Sequence, residues 1–167
     1  MRSASVFLIV VLFVSFAAHG EDVTYTVVSP APFADNSQAS SDVKNSCALE
    51  TRLPQFIADY AKRGVSVVIG PDPGEEAEGK VLYLKIVHVL GTGGGAWSGA
   101  KSVTAEGVLK ENGEVIGSFT SARYSGGGAF GGFKGTCSIL GRCIQAMGKD
   151  IANWLKKPTM HAMLGDA

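Results

Sequence analysis

Residues 102–124 read SVTAEGVLKENGEVIGSFTSARY, and the fold follows from how this stretch divides. In its first half Val103, Ala105 and Leu109 alternate with Thr104, Glu106 and Lys110, the period of two that a strand with one buried face requires. Asn112-Gly113 then supplies the positive φ angles of a tight turn, and residues 115–124 resume a strand pattern. The stretch predicts an antiparallel hairpin whose Val103, Ala105 and Leu109 point inward.

Working outward, residues 80–90 (KVLYLKIVHVL) predict the longest strand. Strict alternation puts Leu82, Leu84, Ile86 and Leu90 on one face and Val81, Tyr83, Lys85, Val87 and Val89 on the other, which is only partly polar. Residues 65–69 (VSVVI) form a short strand, followed by the solvated acidic turn Pro71-Asp72-Pro73-Gly74 with Glu75, Glu76 and Glu78. Residues 24–28 (TYTVV) predict a first strand, which Pro30 and Pro32 stop, leading into a loop over 29–45. Between these strands Leu49, Leu53, Phe56, Ile57, Tyr60 and Ala61 recur at helical spacing until Gly64. Pro54 falls inside that stripe without an amide hydrogen, so the helix either starts near Leu53 or kinks there. Leu140, Cys143, Ile144, Met147, Ile151, Trp154 and Leu155 make a second stripe, with Lys156 and Lys157 at its end and Pro158 beyond. The resulting order β, α, β, β, β, β, α predicts an α+β fold: a two-layer domain, with a mixed or antiparallel sheet of about five strands and two helices on one face. Residues 21–158 make the single domain, and 159–167, which lack a pattern, a flexible tail.

The chain opens on Met1-Arg2, stays uncharged from Ser3 to Gly20, and is apolar from Val6 to Ala18. A positive start, a short apolar core and small residues in Ala18-His19-Gly20 are the profile of a signal peptide over residues 1–20, and the core is shorter than the roughly 20 residues a spanning helix needs. Cleavage there takes one of the 15 Lys+Arg and none of the 15 Asp+Glu, so the remainder carries about minus one charge. That balance gives no footprint for nucleic acid or for an anionic membrane surface. A periplasmic or secreted location is expected, with no stable membrane anchor after cleavage.

Cys47, Cys137 and Cys143 lie beyond the leader and allow three pairings of one disulfide and one thiol. Within one regular helix Cys137 and Cys143 would stand roughly 9 Å apart along the axis, too far to bridge. Cys137–Cys143 therefore requires Cys137 to lie outside the helix; Cys143 sits in an apolar stripe, whereas Cys47 and Cys137 both fall near helix starts, so with the two helices side by side the bridge expected is Cys47–Cys137.

One internal echo stands out. Residues 93–101 (GGGAWSGAK) and 126–134 (GGGAFGGFK) share the pattern GGGA-aromatic-x-G-x-K, and each follows a predicted strand. Glycine lets backbone amides approach a ligand and an aromatic ring offers a stacking face, so Trp97, Lys101, Phe130 and Lys134 are the candidate binding residues. The plainer alternative folds Trp97 and Phe130 back onto the core. Phe133 separates Gly132 from Lys134, so this is not a phosphate-cradling loop, and no G-x-S-x-G is present. Outside the leader the histidines are His88 and His161, without CxxC or HxxxH spacing, so neither a metal site nor a cofactor is expected.

The segments GKVLYLKIVHVLGTGGGAWSGAKSVTAEGVL from Gly79, GGFKGTCSIL from Gly131 and GKDIANWLKKP ending at Pro158 resemble a bacterial family known as domain of unknown function 4410. The resemblance spans about residues 44–158. It implies a fold similar to small envelope domains such as the amino-terminal domain of the Tol translocation protein or the lipoprotein activators of cell-wall synthases. Lipid-anchored members carry a cysteine at the cleavage site; its absence here implies a free form. Together these readings point to a non-enzymatic binding or adaptor module contacting an envelope protein or glycan. A self-associating structural protein using Val81, Tyr83, Val87 and Val89 is one alternative, and an envelope hydrolase, which lacks a visible nucleophile–base set, another.

Overall fold

In the computed structural model, which describes residues 22–62, 64–74, 77–91, 100–125 and 135–167, the hairpin forms inside the sheet, with a strand on either side of it. Its strands, here β4 (Lys101–Glu111) and β5 (Glu114–Ser125), pair antiparallel, and Asn112 and Gly113 take φ of 50° and 85° in the turn. Before them come β1 (Val23–Val28), α1 (Ser41–Ser46), α2 (Leu49–Tyr60), β2 (Val65–Gly70) and β3 (Lys80–Leu90); after them come α3 (Thr136–Trp154) and β6 (Ala162–Gly165). Among the described residues these strands form one mixed sheet in the order β2-β1-β3-β4-β5-β6. β1 pairs parallel with both β2 and β3, β3 pairs antiparallel with β4, and β6 pairs parallel with β5. The α+β class and the helices on one face are as the sequence implies.

The core lies between that face and the two longer helices. Leu82, Leu84, Ile86, Val103, Ala105, Leu109 and Phe119 from the sheet meet Leu49, Leu53 and Ile57 of α2 and Leu140, Ile144, Met147 and Ile151 of α3, all buried. At roughly 1.5–3 kcal/mol for each fully buried large aliphatic or aromatic side chain, this layer is the main source of stability. Gly148 of α3 sits where a Cβ would run into Phe56 and the backbone of α2, so the glycine sets how closely the helices approach. Gly107 does the same in the sheet: the ring of Phe119, its cross-strand partner, lies over it and meets Trp154 edge-on, centroids 4.9 Å apart.

Several expectations change. Pro54 neither starts nor breaks α2, which runs from Leu49. The carbonyl of Glu50, which Pro54 cannot satisfy, accepts the amide of Ala31 at 2.8 Å instead, so the proline ties the post-β1 loop to the helix. That loop itself contains α1, opened by Ser40, whose hydroxyl accepts the Val43 amide. In β3 the register shifts between Ile86 and His88, which turns Val89 into the core and leaves Leu90 exposed, opposite to strict alternation. Residues 159–167 are not a loose tail. Met163 pairs with Thr120, the Asp166 amide donates to Ala122, and Arg123 holds both Asp150 (2.6 Å) and Asp166 (3.1 Å). Charge-assisted bonds from a strand and a helix thus fix a segment that has no periodicity of its own.

Candidate functional site

The residues proposed from the repeated glycine motif separate. Trp97, Phe130 and Lys134 lie outside the described residues. Lys101 is described, and it is fully buried and engaged within the fold, not presented to solvent. The reason is phase: Lys101 precedes Val103, Ala105, Gly107 and Leu109 on the inward side of β4. Carrying the hairpin's alternation back by two residues would have placed it there. What the backbone does bring together is the anchor points of the two glycine stretches, since Leu90 and Tyr124 both pair with Ser102 and Ser125 pairs with Lys101.

The disulfide joins Cys47 and Cys137, with Cα atoms 4.9 Å apart across 90 residues of sequence. It fastens the α1–α2 junction to the first turn of α3, the end of the domain from which both glycine stretches leave. Cys143 is buried with a free thiol, and its pKa is raised, chiefly by desolvation, with Arg142 opposing. His88 is half-buried on β3 and His161 is exposed before β6. Among the described residues, no three His, Cys, Asp or Glu side chains gather as a metal-binding group.

A second location was not anticipated from sequence. β1 pairs with β3 only as far as Val27↔Leu82, and the chain rejoins β3 at Phe33↔Ile86. In between, Pro30 has no amide to give a ladder and the Ala31 amide is committed to Glu50, so the backbone swings away from β3. The gap opens a groove of about 570 Å³ on the sheet face opposite the described helices. Pro30, Pro32, Pro71, Tyr83 and Val108 supply its apolar wall. Lys85 and Glu106, directly opposed across β3 and β4, supply one charge of each sign. The Tyr83 hydroxyl donates to the Gly74 carbonyl at 3.1 Å, and the Lys110 ammonium stands 5.4 Å from its ring centroid, so the ring is held from two sides. A smaller hollow of about 370 Å³, reaching Thr120, His161 and Met163, shares Glu106 and Val108 with it. Chemically the surface offers shape, apolar contact, the opposed Lys85–Glu106 pair and a second carboxylate, Asp72.

The half-apolar face expected to mediate self-association is divided. Val81 and Val89 are buried, Val89 on the core side of the bulge, and Tyr83 and Val87 are half-buried. Among the described residues, no helix is long and apolar enough to cross a membrane.

No family model matches the chain, and no curated protein does. Among solved structures the chain is similar to a Helicobacter pylori protein described as a neuraminyllactose-binding hemagglutinin homolog, at 13% identity and a TM-score of 0.46, covering 83% of this chain and 85% of that one. It is also similar to the PelC dodecamer from Paraburkholderia phytofirmans (18% identity, TM-score 0.46, 77% and 87% covered). A Xanthomonas campestris protein of the DUF330 family matches at 9% identity and a TM-score of 0.45, with 83% and 87% covered.

Proposed function

We propose that the protein is exported and acts in the bacterial envelope, or beyond it, as a non-enzymatic binding or adaptor module whose contact surface is the groove beside β3. The observation that carries this reading is the groove itself, an open concavity of about 570 Å³ with apolar walls and one opposed pair of charges. Ligand sites generally combine a mostly apolar concave lining with a few placed polar groups. Walls of proline and tyrosine suit a proline-rich, polyproline II segment of a partner protein, because such a segment is preformed and loses less conformational entropy on docking than an ordinary flexible one. Export is supported by the leader pattern of residues 1–20 and by the Cys47–Cys137 disulfide, a bond that persists in oxidising compartments.

The test places a photo-crosslinking amino acid at Val108 in living cells, with Val115, exposed at the hairpin tip, as the control position. The captured partner segment is then synthesised and titrated against the purified protein and its Val108→Arg variant. Saturable binding, weakened tenfold or more by Val108→Arg, is the expected result. Crosslinking at Val108 no greater than at Val115, or equal affinity for both proteins, would remove the groove from the function.

A further inference from the structure

The two edges of the sheet are built differently. β6 is four residues long and is followed by Asp166, which is tied down by Arg123. The opposite edge, β2, reads VSVVIG: six residues without a charge, a proline or a bulge, with Val68 and Ile69 exposed at 54% and 36%. Native edges are ordinarily blunted by one of those devices, because unpaired backbone groups on a flat apolar strand are a template for another strand.

The direction of those backbone groups can be read from the bonds to β1. The Val23 amide donates to the Gly64 carbonyl at 3.1 Å and the Ser29 amide to the Gly70 carbonyl at 2.9 Å. Even-numbered residues of β2 therefore face β1, and Val65, Val67 and Ile69 turn both N–H and C=O toward the edge with which no other described strand pairs. This fixes a register. A two-fold axis through Val67 sets Val67 against the same residue of a second copy and Val65 against Ile69, pairs that exchange about six N–H···O bonds in total. On the face opposite the described helices Ser66 then lies opposite the exposed Val68. Just beyond the strand, antiparallel pairing brings the end of β2 flanked by the exposed Lys62 in one copy beside the end flanked by the exposed Asp72 in the other. Charge complementarity is thus built into the antiparallel register, whereas parallel pairing in register would set Lys62 against Lys62 and Asp72 against Asp72.

We infer that β2 is a homodimerisation edge: two copies of this chain join through antiparallel β2 strands about a two-fold axis at Val67, giving one continuous sheet with all helices on the same side. The interface is closed and self-complementary, so it stops at two copies. It is independent of the partner proposed for the groove, although Asp72 borders both.

Two measurements on the purified protein test it. Sedimentation equilibrium is expected to give a dimer, with the dissociation constant raised at least tenfold by Val68→Lys, a change at an exposed site that leaves the circular dichroism spectrum unaltered. Lys62→Asp weakens the dimer several-fold, and adding Asp72→Lys to it restores affinity. Under mild oxidation Val67→Cys gives a covalent dimer, because opposed hydrogen-bonded residues have Cα atoms about 5.5 Å apart, within bridging range. Ile69→Cys, four residues from its own symmetry mate along the strands, does not. A monomeric mass up to about millimolar concentration, an unchanged constant in Val68→Lys, or equal crosslinking of Val67→Cys and Ile69→Cys overturns the inference.

Discussion

Lys101 is the residue at which motif and environment diverge. As a surface contact, its truncation would shift stability by no more than about 0.5 kcal/mol; as a fully buried side chain on the inward face of β4, Lys101→Ala leaves a cavity and is expected to cost about 2 kcal/mol or more, measured by urea unfolding. Gly107→Ala drives a Cβ into the Phe119 ring and is expected to cost about 1–3 kcal/mol in the same assay. Cys143 contributes a pH dependence. Burial raises its thiol pKa in the fold, so the unfolded chain releases the proton first as pH rises. Its contribution is full below the ordinary thiol value of 9.0 and is lost as pH climbs through the folded value. Burial shifts Tyr25 the same way from 10.0, so stability is expected to fall on the alkaline side, and Cys143→Ala to flatten the onset of that fall in denaturation series across pH.

At the scale of elements, two long-range ties hold pieces that local propensity does not. The disulfide closes a sequence separation of 90, and removing it with Cys47→Ser and Cys137→Ser together is expected to lower unfolding free energy by about 2–4 kcal/mol in chemical denaturation without reductant. The second tie is the ion-paired docking of β6. Asp166→Ala removes the acceptor of the Tyr124 amide and one of the two carboxylates on Arg123, and hydrogen exchange is expected to show that amide losing protection while the amides between β3 and β4 keep theirs. Because Asp166 is half exposed, the global cost is at most about 1 kcal/mol. Both helices were legible as stripes of period 3.6, but the consequence of Pro54 was not: only the position of Ala31 reveals where the freed Glu50 carbonyl finds its donor.

Across the whole molecule, α2, α3 and the sheet share one apolar cluster, so the domain is expected to unfold as a single transition, with near-ultraviolet signals from Trp154 and far-ultraviolet signals coinciding. Among the described residues the same arrangement puts all helices on one sheet face, and the groove lies on the other. Sequence alone determined the hairpin at Asn112-Gly113, the two amphipathic helices and the two-layer class, because period and turn chemistry are written among neighbouring residues. It also made Cys47–Cys137 the reasonable bridge. Tertiary structure alone decided that a bulge before His88 exchanges Val89 for Leu90 in the core, that the last residues become a strand, and that Lys101 is interior. It alone opened the groove, where a proline that cannot pair and an amide drawn off to another element hold the segment after β1 away from β3. Those outcomes depend on groups distant in sequence meeting in space, and no local pattern encodes which partner arrives.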